Sequence, residues 1–200
     1  RAALMAMLSG VIGDDFEGEG LSVRQADEDF VVEAPTSSAH KPEYKVGIKP
    51  VDSGLVIDHI ASGAPVEEIW NRIDKIRRVL GLNLRSSHGV YHTSSGAFKG
   101  IISVPDLESF GEKELKRLGA VSPGCTLNLV QDHRVARKYR LGMPPRIYKF
   151  DDIACRNENC VSHPSHEEHV EASFVRKGGT DTFVCRWCEK EHDYPEIWRV

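Results

Sequence analysis

Four of the five cysteines fall into two tight pairs, C-x4-C at Cys155 and Cys160 and C-x2-C at Cys185 and Cys188, with 24 residues between the pairs. Each pair can close one knuckle, and two facing knuckles present four thiolates, the set a tetrahedral zinc ion takes at about 2.3 Å per bond. Such a shell leaves no position for water or substrate, so the chemistry it implies is structural. A redox dithiol would need only Cys185 and Cys188, and an iron–sulfur centre favours other spacings. Four thiolates around one Zn²⁺ leave a net charge of about −2. Nearby cations or backbone amides must compensate it, and Arg156 and Arg186, each next to the first cysteine of its pair, and Lys190 are the candidate cations. With four cysteines present, His163, His166, His169 and His192 are expected on exposed loops. Cys125, alone after Ser122-Pro123-Gly124, reads as a small buried apolar side chain.

A second set of chemically capable residues lies in the run Val56-Ile57-Asp58-His59-Ile60. Strand alternation puts Val56, Asp58 and Ile60 on one face and Ile57 and His59 on the other. An acid and an imidazole inside an apolar strand are costly without a partner or ligand, and the pattern alone favours a cap or a salt bridge. Lys99 and the run Arg134, Arg137, Lys138 and Arg140 bring positive charge suited to phosphates, although such runs usually form wetted faces. No glycine-rich phosphate loop occurs.

The elements that must position these residues follow from periodicity. Gly54–Ile60 is a β-branched run of strand length. Pro65 opens a helix in which Val66, Ile69, Trp70, Ile73, Ile76 and Leu80 recur at three- and four-residue spacing. HGVYHT and KGIISV form a hairpin around SSGA, and a second helix near Glu112–Leu118 ends at Ser122-Pro123-Gly124. TLNLVQ and HRVARK follow, with Asp132 at their turn. The order βαββαβ plus one strand is an α+β, ferredoxin-like plan with two helices on one face of a mostly antiparallel sheet. Residues 46–140 suffice for it. Met143-Pro144-Pro145-Arg146 is a stiff hinge. The remainder, 143–200, is expected as a small all-β domain with too few large apolar residues to fold without a staple. Zinc would contribute on the order of 10 kcal/mol to that folding.

Residues 1–12 are rich in Ala, Met and Leu and read as a helix end of something longer. Residues 13–44 carry nine acids and two bases, a net −7, and read as a solvated linker. The chain as a whole has a formal charge of −4 at 40% apolar content, which supports a core and argues against a general nucleic-acid binder. No apolar run approaches the roughly 18 residues of a membrane span. Paired cysteines in odd total number fit a reducing compartment, hence a cytoplasmic protein.

GLVIDHI, the KGII strand, TLNLV and the run CRNENCVSH…FVRK…FVCRWCEKE, in this order, resemble the regulatory chain of aspartate carbamoyltransferase over residues 46–194. The resemblance implies an allosteric domain over 45–142 that binds nucleotides such as CTP, UTP or ATP. It also implies regulatory-domain dimerisation, and a zinc domain over 143–200 that docks on the catalytic chain. Residues 1–12 resemble that catalytic chain's last helix, so a fused polypeptide is expected, with the catalytic residues upstream and none here. Carried across, the nucleotide site comprises Val56, Asp58, His59, Lys99, Asn128, Val130, Val135, Lys138 and Lys45. Asn157, Asn159, Glu189 and Lys190 match the catalytic-chain contacts, and Arg176 and Lys177 fall in the FVRK pattern.

Three positions depart from the family. Ser103 replaces a lysine, His133 an aromatic beside the base, and Lys49 an acid. A lost lysine removes a charge-assisted bond of about 1.5–3 kcal/mol. An assembly scaffold with a decayed nucleotide site is therefore a rival expectation, and a zinc-ribbon nucleic-acid module a weaker one.

Overall fold

The computed structural model of the chain describes residues 30–34, 51–82, 86–93, 95–167 and 170–198. The expected helix end at 1–12, residues 13–29 and 35–44 of the linker, Lys45, Lys49 and His169 lie outside them. The chain divides into two compact units between Met143 and Pro144, within the proline stretch. No helix among the described residues is long and apolar enough to cross a membrane.

The first unit contains strands β1 (Val31–Ala34), β2 (Gly54–Ile60), β3 (Ser87–His92), β4 (Phe98–Pro105), β5 (Thr126–Gln131) and β6 (Arg134–Leu141), with helices α1 (Val66–Val79) and α2 (Glu112–Val121). The strands form one antiparallel sheet in the order β1-β6-β5-β2-β4-β3. β2 to β6 with the two helices realise the expected βαββαβ order. Pro65 caps α1, with Glu67 and Glu68 in its first turn and Arg77 and Arg78 in its last, all favourable to the helix dipole. α1 packs on β4 at Gly100, where a Cβ would stand 2.9 Å from Ile69 and 3.0 Å from Ile73. Arg72 and Arg117 tie the helices together by donating to the Val121 and Val79 carbonyls.

Three expectations are corrected. Val66 and Trp70 are exposed, so the buried stripe of α1 is Ile69, Ile73 and Ile76 alone. The simple alternation of β2 also fails, because its register against β4 shifts between Ile57 and Ile60, where His59 has φ of 59°. That bulge returns Ile60 to the helix face beside Ile57, burying both completely. Finally, Val31–Ala34, inside the stretch expected to be a linker, is a strand on the outer edge of β6.

The second unit holds β7 (Arg146–Tyr148), β8 (Ser173–Arg176), β9 (Thr182–Cys185) and β10 (Glu191–Asp193), in the sheet order β10-β9-β8-β7, and a 3₁₀ turn at Tyr194–Ile197. Its small core is Ile147, Ile153, Phe174, Phe183 and Ile197. Asp193 and Glu196 form a capping box over the 3₁₀ turn.

Candidate functional site

The four cysteines expected to bind metal converge: the Sγ atoms of Cys155, Cys160, Cys185 and Cys188 all lie within 4.8 Å of one another. Cys155 and Cys188 are 3.6 Å apart, and Cys160 and Cys185 3.8 Å. A tetrahedron with 2.3 Å metal–sulfur bonds has edges of about 3.8 Å, so the cage already has the dimensions of a four-thiolate zinc site. One knuckle closes through Cys160 N–H donating to the Asn157 carbonyl at 2.9 Å. In the other, Glu189 N–H donates to the Cys185 carbonyl at 2.9 Å, with Glu189 itself at φ of 59°. Cys155, Cys160 and Cys185 are buried, and Cys188 is half-buried.

Of the two kinds of compensation expected at the knuckles, cations and backbone amides, the cations turn elsewhere. Arg156 donates to the Glu196 and Trp198 carbonyls, Arg186 lies 5.7 Å over the Trp187 ring, and Lys190 reaches Asn157 Oδ1 at 3.3 Å. The sulfurs are served by backbone N–H groups instead: Asn157 for Cys155, Cys188 and Trp187 for Cys185, and Lys190 for Cys188. Burial pushes the Cys155 and Cys185 thiols up. Burial also acts to raise Cys188, but the Asn157 side chain, the Lys190 amide and the neighbouring cysteines outweigh it and pull this thiol down to about 7.

His192 is not on an exposed loop. It sits on β10 at 6% exposure, edge-on to Phe174, with Nε2 3.4 Å from Cys155 Sγ. Burial, with Arg156 and Lys190 nearby, lowers its pKa against the opposing charge of Glu196, so the ring is neutral near pH 7. A metal-bound thiolate only accepts, so Nε2 carries the proton and donates. Partners of this kind are worth about 10–100-fold in metal affinity. His192→Phe, which keeps the aromatic contact, is expected to raise zinc transfer to a competing chelator by about tenfold. Alternation in Glu191-His192-Asp193 was the available sequence signal, since it turns the middle residue inward. His163 and His166 do lie on the half-exposed loop after the first knuckle.

Asn157, Asn159, Glu189 and Lys190 surround the knuckles; Asn157 Oδ1 accepts from the Asn159 amide at 3.3 Å, and the other three residues are exposed. Arg176, the last residue of β8, and Lys177 after it engage Asp181 and Glu191. Trp187 at 47% exposure and Val161 at 36% stand next to these positions, and the polar motif gave no sign of them.

In the first unit, the register brings Val56, Asp58, Lys99, Asn128 and Lys138 to the sheet face away from α1. One cross-strand row runs Lys138, Asn128, Val56, Ser103, Ser87. Val130 pairs with Val135 near the β5–β6 turn. Lys99 Nζ is 2.8 Å from both Asp58 carboxylate oxygens. Burial acts to raise the Asp58 pKa, yet the hydrogen bond and charge of Lys99, with His59, hold the carboxyl below its usual value. His59, lifted by the bulge, has Nδ1 3.3 Å from Thr126 Oγ1, a partner no sequence cue announced. Asn128 is 8% exposed and its Oδ1 is buried without a hydrogen-bond partner. Ser103 is buried. His133 occupies the β5–β6 turn with Asp132, both at positive φ, and meets Asp52 at 3.1 Å in the open. Cys125 is fully buried, its thiol pushed by burial up to about 12.

An α+β unit whose sheet buries polar groups on the face away from α1, followed by a unit stapled through a closed four-thiolate cage, defines a protein in which the metal site is structural. Residues 46–142 match the model of the aspartate carbamoyltransferase regulatory chain, allosteric domain, and 145–198 that of the same chain's metal binding domain. The chain belongs to the aspartate carbamoyltransferase regulatory-chain family. Protein PyrBI of Thermotoga maritima is 41% identical across 100% of this chain, and protein PyrBI of Treponema denticola 40% across 99%. The chain spans 38% of the length of each. The aspartate carbamoyltransferase regulatory chain of Methanococcus maripaludis is 31% identical over 75% of this chain and 93% of its own length.

Proposed function

We propose that this chain is the nucleotide-sensing and assembly part of an aspartate carbamoyltransferase, acting in the cytoplasm at the start of pyrimidine synthesis. The carbamoyl transfer itself would belong to a catalytic part preceding Arg1 in a fused polypeptide, as the PyrBI relatives suggest. The observation that carries the effector role is the buried, unpartnered Asn128 Oδ1 on the same face as the Asp58–Lys99 pair. A buried acceptor without a donor is costly, and a nucleobase amino group would satisfy it. In this reading Val56, Val130 and Val135 give apolar contact to the base, His59 and Asp58 the polar edge, and Lys138, Lys99 and Lys45 the charge for ribose and phosphates. A nucleotide alters catalysis only by binding two quaternary states unequally.

Zinc supplies no chemistry here beyond fixing the knuckles. What those knuckles present is Asn157, Asn159, Glu189 and Lys190, proposed as the face toward the catalytic part. Pairing of two allosteric domains is the remaining expected contact; β3 has no strand on its outer side among the described residues.

Calorimetric titration of the chain with CTP, UTP and ATP tests the effector role. Heat from at least one with a dissociation constant below about 1 mM supports it. Silence from all three favours the second reading, a zinc-stapled assembly scaffold, for which the observation is the buried Ser103 beside Val56, which offers no charge to a phosphate.

A further inference from the structure

The strand in the acidic stretch is seated by features placed elsewhere in the chain to receive it. Phe30 and Val31 are 6% and 5% exposed, although residues 13–44 as a whole carry too little apolar matter to form a core. Phe30 lies in a socket made by two glycines. A Cβ on Gly119, in the last turn of α2, would stand 3.0 Å from Phe30 Cδ2 and 3.2 Å from Cε2. A Cβ on Gly142 would stand 3.4 Å from Phe30 Cα, and the Gly142 N–H donates to the Phe30 carbonyl. Glycine within a helix costs up to about 1 kcal/mol relative to alanine. Close packing against Phe30 gives that cost a reason.

From this anchor the backbone runs antiparallel to β6, pairing Val31 with Leu141, Val32 with Arg140, Glu33 with Tyr139 and Ala34 with Lys138. The charges agree with the geometry: Glu33, the acid of the docked segment, lies along a strand bearing Arg137, Lys138 and Arg140 and acts on the charge of Arg137. The pairing also covers an edge that would otherwise offer open backbone groups to another chain. Moreover, Ala34 ends the cross-strand row that continues through Lys138 and Asn128 to Val56.

We propose that the outer edge of β6 and the Gly119–Gly142 socket form a peptide-binding surface whose occupant is residues 30–34 of this chain, and that this docked arm senses occupancy of the open sheet face. The sensing half rests on the nucleotide reading above. It makes residues 30–34 a joint attached to the effector sheet, with Ala34 paired directly to Lys138.

Amide hydrogen exchange on the full chain tests both halves. Phe30→Ala is expected to speed exchange at residues 31–34 and along β6 by about tenfold, with β2, β4 and the second unit unchanged. Gly119→Val, which fills the socket from the other side, should do the same; if it unfolds α2, Phe30→Ala alone decides. Unchanged exchange at 31–34 in Phe30→Ala overturns the docking. For the sensing half, saturating CTP, UTP or ATP should change exchange at 31–34 several-fold. Calorimetric heat without that change overturns the coupling while sparing the nucleotide reading. Silence in calorimetry overturns both of those, and the Phe30→Ala comparison still decides the docking.

Discussion

Removing zinc with a chelator is expected to unfold the Pro144–Val200 unit while the sheet of the first unit stays intact. The second unit has only a handful of fully buried large side chains, chiefly Ile147, Phe174, Phe183 and Ile197, and four short strands of three or four residues. A domain of this size buries too little apolar surface to offset its chain entropy unaided. Four-thiolate zinc sites supply about 10–16 kcal/mol of apparent free energy, well above the whole stability of a small domain. With the ion removed, Cys155, Cys160 and Cys185 are left as buried sulfurs facing one another, and the bond that joined the two knuckles through them is lost. Tryptophan placement makes the outcome easy to read, because Trp187 and Trp198 lie in the second unit and Trp70 in the first. Residue-resolved hydrogen exchange after chelation should show loss of protection in β8 and β9 and its retention in β2 and β5. Full protection of β8 and β9 after complete metal removal would sink the staple.

The cysteine cage was legible in the sequence because its ligands come in two local pairs, so spacing alone specifies each knuckle. His192 was not, since it is brought to Cys155 across 37 positions by the pairing of β10 with β9. The βαββαβ order could be read from periodicity, as the apolar spacing of Ile69, Ile73 and Ile76 and the β-branched run of β2 both serve one buried face. Periodicity misled at the ends of that pattern. Val66 and Trp70 fit the helical spacing yet lie at the margin of the buried stripe, Trp70 edge-on to His88 of β3. The bulge at His59 requires a left-handed backbone at a non-glycine residue, which carries no strong sequence mark. Two successive polar residues in an apolar strand were the only hint. β1 was hidden because acidic composition over 13–44 outweighed the four-residue run Val31-Val32-Glu33-Ala34, and its anchor depends on glycines some 90 and 110 positions away.

Lys99→Met is expected to destabilise the first unit by about 3 kcal/mol at pH 7. The physical reason is the carboxylate left behind rather than the bond removed. Asp58 and Lys99 side chains are 16% and 10% exposed, so their pairing is shielded from solvent far more than a surface ion pair. Desolvation alone would raise the Asp58 pKa; Lys99 is the main opposing influence, and with it the folded carboxyl stays below its ordinary value of 3.8. The sign of the pH dependence follows. In the native chain this pair contributes stability that is present above the unfolded carboxyl pKa, about 3.9, and is lost as pH falls through the lower folded value. In Lys99→Met the opposing influence is gone, the folded pKa lies above the unfolded one, and the variant gains stability as pH falls from neutrality. The difference in urea midpoint between the two proteins should therefore be largest near pH 7 and shrink steadily toward pH 4. A second substitution, Asp58→Asn, should recover about half of the loss in the Lys99→Met background, because it removes the uncompensated charge while keeping the shape. A gap that is the same at pH 7 and pH 4.5, and that Asp58→Asn leaves untouched, would mean that Lys99 acts through its alkyl packing and not through the carboxylate.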